Sequence, residues 1–276
     1  MNSKIERPIV EIITIGREIL DGRVIDTNAS YLGERLNHLG LCPRWAQRVD
    51  DHIDRIIEAF KIAQARSHIV FCTGGLGPTS DDLTNEAFAK FCQSEFVLNT
   101  DALLMIEKSF ERMKRPMGDV QRKQAYMAKI ARPLANACGT APGVSALFNS
   151  CQWFFMPGVP REMKMLFSEI EKTLPVIGKP KMWTWKTQFT SEGELGDRIQ
   201  KQAGPTPPGI ELCFRTRMPE NHVSIVAQIT NTQEEELFNT YQKTLCDILD
   251  KDSYYSGPLD LTPELEEEIV KLASKK

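Results

Sequence analysis

Glycines and carboxylates crowd into one short stretch of this 276-residue chain. From Ile69 to Glu86 it reads IVFCTGGLGPTSDDLTNE. Gly74, Gly75 and Gly77 can take backbone conformations closed to other residues and let a ligand approach bare backbone. Free N–H groups at such a loop suit a phosphate or another anion. Asp81 and Asp82 follow at once, and carboxylates sit beside a phosphate only with a cation or a proton between them. That tension is the main clue to the chemistry.

Other residues fit for chemistry cluster in five more patches. They are Gly16-Arg17-Glu18, Asp26-Thr27-Asn28, Arg122-Lys123-Gln124, Gly139-Thr140-Ala141-Pro142-Gly143, and the run from Pro157-Gly158 to Glu162. Taken singly, each is ordinary turn or cap chemistry, and Asp at a helix start is usually a cap. Six patches at the ends of predicted elements call for a shared explanation.

The elements supply one. Residues 8–15 read as a first strand. Asp26-Thr27-Asn28 caps a helix with Ala29, Leu32, Leu36 and Leu39 on one face and Gly40 beyond its end. Residues 41–49 form a second strand, and Asp50-Asp51 opens a helix carrying Ile53, Ile56, Ile57, Phe60 and Ala63. A third strand from His68 to Thr73 enters the glycine loop, and a helix starts at Asp81-Asp82. Strand–helix–strand–helix–strand predicts an α/β fold with a doubly wound, mostly parallel sheet. The carboxyl ends of its strands share one edge, so the six patches can converge in one crevice.

Further on, helices are predicted over 101–115 and 119–128, then a loop over 133–143. A hairpin over 144–148 and 152–156 leads into a helix ending near Leu174. The composition changes at 175–180, PVIGKP, and predicts a domain boundary. A second, smaller α+β domain follows: strand 182–190, helix 193–203, strands 209–216 and 222–230, helix 234–249. A last helix after Pro263 carries Leu265, Ile269 and Leu272. The expected division is 1–176, 181–252 and a linker with helix over 253–276.

Composition narrows the partners. A net charge of −3 gives no broad electrostatic reason to expect nucleic acid or an anionic membrane. No apolar run approaches the roughly 20 residues that span a bilayer, and no signal-peptide pattern opens the chain. A cytoplasmic protein is expected. The seven cysteines show no C-x-x-C spacing and the four histidines no H-x-x-x-H pairing, against a zinc or histidine metal site. Cys72 and Cys151 lie in apolar runs and read as buried small hydrophobes. No G-x-G-x-x-G follows the first strand and no G-K-[ST] closes the loop, which sets aside a dinucleotide-binding fingerprint and a P-loop.

In combination, GREIL, DTNASYLGERL, TGGLGPTSDDLT, RKQA, GTAPG and PGVPREM resemble the N-terminal half of the CinA-type competence/damage-inducible proteins. These are a branch of the molybdopterin-binding, MogA/MoaB-like superfamily, and the match covers most of residues 9–170. The 182–249 unit is similar to the KH-like domain of these proteins but lacks a G-x-x-G clamp, so RNA binding is not carried over. Longer members add a C-terminal nicotinamide-nucleotide amidohydrolase domain. Because the chain ends at Lys276, that activity is expected to be absent.

The resemblance implies a nucleotide pyrophosphatase that hydrolyses ADP-ribose to AMP and ribose 5-phosphate with a divalent metal, Mg, Mn or Co. A diphosphate needs N–H donors and a cation, available from the backbone of Gly74, Gly75 and Gly77 and from Lys123. Asp81, Asp82 and Glu18 are the natural oxygen donors for the metal. Neighbouring helical residues are rotated by about 100°, so the two aspartates would divide the work. The superfamily motif sets its functional aspartate directly before the [VL]-T pair, here Asp82. It is therefore assigned to metal or water with Glu18, and Asp81 to a cap or outer ligand. Substrate contacts are expected from Gly16, Asn28, Thr73, Thr79, Gln124, Gly139, Thr140, Pro157 and Gly158 besides the three glycines.

Departures from the family pattern are Arg17 between Gly16 and Glu18, Asp26 where asparagine is common, and Val159 and Arg161 in PGVPREM. They bear on metal choice and substrate preference. Two alternatives stay open: a molybdopterin-binding or adenylyl-transferring role in molybdenum cofactor assembly, and a regulatory protein that binds a nucleotide without turnover. Apolar surface on the small domain and the last helix, together with commonly oligomeric relatives, predicts a homo-oligomer.

Overall fold

A computed structural model describes residues 7–188, 190–217 and 220–258. The chain divides into two compact units, Met1–Val176 and Ile177–Lys276.

The first unit begins β1 (Val10–Ile15), α1 (Arg17–Leu20), α2 (Thr27–His38), β2 (Pro43–Val49), α3 (Ile53–Arg66) and β3 (Ile69–Thr73). It continues α4 (Thr84–Phe91), β4 (Phe96–Leu98), α5 (Thr100–Arg112), a 3₁₀ helix at Asp119–Ala125, β5 (Tyr126–Ala128) and β6 (Arg132–Leu134). The hairpin β7 (Gly143–Phe148) and β8 (Cys151–Met156) then leads into α6 (Pro160–Glu171). Six strands form one sheet in the order β2-β1-β3-β8-β7-β6. β2, β1, β3 and β8 run parallel, and β7 and β6 extend the sheet antiparallel. The carboxyl ends of four strands therefore meet along one edge.

Helices cover both faces, which is why β1 and β3 are buried at every position and are mostly apolar, Glu11, Thr14 and Thr73 excepted. One face packs Ile13, Ile15, Val70 and Cys72 with Ile56 and Phe60 of α3 and Phe88 of α4. Phe60 meets Trp153 edge-on at 5.2 Å there. On the other face Phe71 stacks on Phe154 at 5.3 Å and meets Phe167 of α6 at 5.7 Å. Cys72 and Cys151 are buried as expected, and burial pushes the Cys151 thiol up to about 12.

Several predicted bounds shift, each for a local reason. The helix predicted to start at Asp81 begins at Thr84, because both aspartates turn back onto Thr79. The 101–115 helix stops at Arg112, where Lys114 takes φ 53°. There Lys114 N–H donates to the Glu111 carbonyl and Arg115 N–H to Phe110, the Schellman pattern. The expected 119–128 helix is a 3₁₀ turn followed by β5, which pairs with β4. Arg132–Leu134, predicted as loop from Pro133, is an edge strand, where a proline is tolerated.

One buried ion pair ties the sheet edge together. Glu11, fully buried on β1, accepts from Arg66 and Ser67 at the end of α3 and from Gln47 of β2. Arg66 also lies 4.2 Å from the centre of the Trp45 ring. Burial alone would raise the Glu11 carboxyl, but hydrogen bonds from Arg66, Ser67 and Gln47 outweigh it and hold it below its ordinary 4.5. Arg66→Ala strands this carboxylate and is expected to cost roughly 3 kcal/mol or more in urea unfolding at pH 7. A carboxyl with a depressed folded value contributes fully above its unfolded value and loses that contribution as pH falls through the folded one. The gap between wild type and Arg66→Ala should therefore shrink below pH 4.5.

The second unit is an antiparallel sheet in the order β10-β11-β9-β12. Its elements are β9 (Lys179–Gln188), α7 (Glu192–Ala203), β10 (Ile210–Arg217), β11 (Glu220–Ile229), α8 (Thr232–Leu249) and β12 (Ser253–Gly257). Trp185, Leu195, Ile225, Phe238 and Leu245 fill its core. β12 occupies the start of the expected linker and pairs with β9. The helix expected after Pro263 lies outside the described residues. Among the described residues no helix is long and apolar enough to cross a membrane.

Candidate functional site

The glycine loop is held between neighbours that leave no room for side chains. Gly74 donates its N–H to the Met156 carbonyl at 3.0 Å and adopts φ 99°, with the Ile15 carbonyl oxygen 2.0 Å from where a Cβ would stand. Gly75, at φ 68°, lies equally tight against the Thr84 hydroxyl, which donates to the Gly74 carbonyl at 2.8 Å. The loop thus joins the ends of β1, β3 and β8.

Beyond it, Thr79 gathers the charged residues. Asp82 Oδ2 accepts from the Thr79 amide at 2.8 Å and lies 2.6 Å from its hydroxyl. Asp81 Oδ1 shares that hydroxyl, and Lys123 Nζ donates to the Thr79 carbonyl. The hydroxyl bond and Asp81's own amide hold the Asp81 carboxyl below its ordinary range. The Asp82 carboxylate also packs on Gly77, closer than a Cβ there would allow. Asp82 and Lys123 therefore brace the loop.

Two further loops close the site. Asp26 caps α2 through Ala29 N–H at 2.9 Å, and Asn28 Nδ2 donates to the Gly158 carbonyl at 2.8 Å. Asn136 organises the Gly139–Gly143 segment: its Oδ1 accepts from Cys138 and Gly139, and its Nδ2 donates to the Ala141 carbonyl and to Glu162 Oε2 at 2.7 Å. Gly139 has no Cβ because Glu162 Oε2 would lie 1.8 Å from it.

A cavity of about 530 Å³ opens at this edge, within the usual range for small-ligand sites. Glu18, Asp26, Asp51, Asp81, Asp82 and Glu162 line it, and among the described residues no Lys, Arg or His does. Gly16, Asn28, Thr73, Gly74, Gly75, Gly77, Gln124, Thr140, Pro157 and Gly158 line it too. Thr79, Gly139 and Lys123 do not; Lys123 borders a smaller cleft with Phe96 and Glu86.

Sequence reasoning gave Asp51 only a helix-opening task. In the structure α3 is preceded by His52 and shows no side-chain cap. Asp51 Oδ2 instead accepts from the Arg17 amide at 2.9 Å. Burial raises the Asp51 carboxyl, opposed by that bond and reinforced by the charges of Glu18, Asp81 and Asp50. The signal was available: Asp51 stands just past the end of β2, on the same edge as the glycine loop. Asn136 and Glu162 were also unassigned, although Glu162 lies inside PGVPREM.

The lining offers only oxygen donors of the kind that hold a hard divalent cation. Among the described residues no three His, Cys, Asp or Glu side chains gather closely enough to hold an ion by themselves. One or two of these carboxylates could hold such an ion only together with oxygen atoms of a ligand.

Fold and site define an α/β domain with a crevice at the carboxyl edge of a mostly parallel sheet. A family profile described as "Probable molybdopterin binding domain" matches residues 11–176. The chain belongs to this family, and to its CinA-like members. It is 39% identical over 208 residues to a competence-damage inducible protein of Oceanobacillus iheyensis, covering 71% of this chain and 49% of that relative. The chain thus spans about half of that relative's length. A Pyrobaculum arsenaticum protein is 42% identical over 234 residues, 82% of this chain and 88% of its own. The crystal structure of a CinA protein of unknown function from Thermoplasma acidophilum superposes with a TM-score of 0.57 at 37% identity, covering 60% of this chain and 99% of that one.

Proposed function

We propose that the first unit hydrolyses the diphosphate of ADP-ribose with a divalent cation, releasing AMP and ribose 5-phosphate. The observation that carries this reading is the lining itself. Glycine-loop backbone faces a cavity with six carboxylates and, among the described residues, no basic side chain. An anionic diphosphate is admitted there only together with a cation, and a cation is what those carboxylates attract. One or two of Glu18, Asp51 and Asp81 would hold it together with the ligand phosphates, since Asp51 feels the charges of the other two. When bound, such an ion neutralises the phosphates and lowers the pKa of water. Water adds at one phosphorus, the bridging P–O bond breaks, and the two monophosphates leave.

The deciding experiment is AMP release from ADP-ribose by the purified chain with Mg²⁺, Mn²⁺ or Co²⁺. AMP should accumulate with at least one of them and stop on chelation. No AMP with any of the three sinks the proposal. The family description favours a second reading, a pterin ligand in the same cavity. Pterin fluorescence copurifying with the protein would support it, and failure to bind any pterin would end it.

A further inference from the structure

Aliphatic side chains stand in solvent on the wall of the cavity. Val24 and Ile25, between α1 and α2, are 48% and 82% exposed, and Val159, just before α6, is 53% exposed. All three line the cavity, with the half-buried Ile19 beside them. An exposed aliphatic residue is ordinary when it stands alone. Here three of them share the wall of one cavity. A loose backbone does not explain their exposure. The Val24 amide donates to the Glu18 carbonyl and the Thr27 amide to the Ile25 carbonyl, both at 2.9 Å, and Arg23 pairs with Asp21 at 2.9 Å. The segment is pinned, and its apolar side chains are left outside the core.

This apolar rim adjoins the glycine loop. Asn28, close after Ile25 in the chain, donates to the carbonyl of Gly158, the neighbour of Val159. That bond ties the two apolar segments together. A Cβ on Gly158 would lie 3.5 Å from the Gly74 Cα, so the rim borders the backbone that would take the phosphates. The carboxylate next to Ile25 is already engaged: Asp26 Oδ1 accepts from Ala29, and its Oδ2 faces Arg48 at 3.5 Å. What the rim offers is aliphatic surface, which binds by leaving water. A phosphate or a hydrated cation gains nothing from such a surface. The flat face of a purine does.

We propose that Val24, Ile25 and Val159 seat the purine base of a nucleotide whose phosphates lie at the glycine loop. The seat rests on the nucleotide reading above and adds to it the end of the ligand that glycines and carboxylates leave unaccounted for. The base is held by contact with aliphatic side chains, while cation and phosphates occupy the polar part of the same cavity.

Calorimetric titration of the full chain in Mg²⁺ would compare AMP with ribose 5-phosphate, which lacks the base. AMP should bind about tenfold more tightly, the gain from covering roughly 50–60 Å² of apolar surface. Ile25→Ser should weaken AMP by about fivefold and leave ribose 5-phosphate within about twofold, and Ile25→Leu should keep both at wild type. Because Ile25 is exposed, the serine variant should melt with wild type. Equal binding of AMP and ribose 5-phosphate, no binding of AMP, or AMP affinity unchanged in Ile25→Ser would overturn the seat. So would a loss shared equally by both ligands, which would make Ile25 a support for the loop. A dimer that Ile25→Ser converts to monomer while AMP affinity holds would give the rim to a second copy of the chain. Binding of 6-hydroxymethylpterin that falls in Ile25→Ser while AMP affinity holds would give it to a pterin. AMP release from ADP-ribose with equal binding of the two ligands would remove the seat and keep hydrolysis; a base preference lost in Ile25→Ser without AMP release would do the reverse.

Discussion

An Asp51→Asn chain is expected to melt at or above the wild-type temperature and to lose ADP-ribose turnover by about a hundredfold or more. The two effects have one origin. Asp51 is a half-buried carboxylate whose charge is disfavoured by burial and by Glu18, Asp81 and Asp50. An asparagine oxygen can still accept the Arg17 amide at the same place, so the start of α1 keeps its anchor. Removing one of several like charges relieves repulsion in the free protein and weakens the attraction for a cation. Asp81→Asn should lose turnover similarly but gain no stability, since the Thr79 hydroxyl favours its ionised carboxylate. Asp82→Ala should lower stability as well, because Asp82 Oδ2 holds the Thr79 amide. Thermal melts beside AMP assays check all three. Wild-type turnover in Asp51→Asn would exclude Asp51 from the cation group.

Gly74→Ala is expected to be the most disruptive single methyl in the first unit. The added Cβ would stand 2.0 Å from the Ile15 carbonyl oxygen, which is backbone and cannot rotate away. The φ of 99° also penalises any side chain, by roughly 1–2 kcal/mol. Separating β1 from the loop adds about 1–3 kcal/mol, a melting-point drop of roughly 5–15 °C for a unit of this size. The N–H donors of the loop would shift with it, so ligand binding should fail even at temperatures where the variant is folded. Gly33→Ala is the contrast: nothing lies within 4 Å of that site on α2, and alanine there should stabilise by about 0.5–1 kcal/mol. A Gly74→Ala chain that melts and binds like wild type would contradict the packing described for the loop.

Much of this was legible before any coordinates. The alternation of apolar runs and amphipathic helices around Ile69–Thr73 reads directly as a parallel sheet. Glycines between a strand and a helix mark its carboxyl edge. What stayed hidden were contacts between residues far apart in the chain. Asp51 meets the Arg17 amide across 34 positions, and only its place just past the end of β2, not the local pattern at Asp50-Asp51, sets that apart from a helix cap. Lys123 looked like a phosphate ligand by charge and motif, but it reaches the Thr79 carbonyl 44 residues away. The short strands β4, β5 and β6 have three residues each, too few to show alternation, and they exist only because a neighbouring strand pairs with them.

The turn between β7 and β8 has a practical use. Asn149 and Ser150 both take left-handed conformations, at φ 45° and 64°, which makes the reversal as short as two residues. Because β8 then runs back alongside β3, the turn sits at the end of the sheet opposite the cavity, about 20 Å away along a six-residue strand. A fluorophore or surface tether attached there would report on the domain, or immobilise it, while leaving the ligand entrance clear.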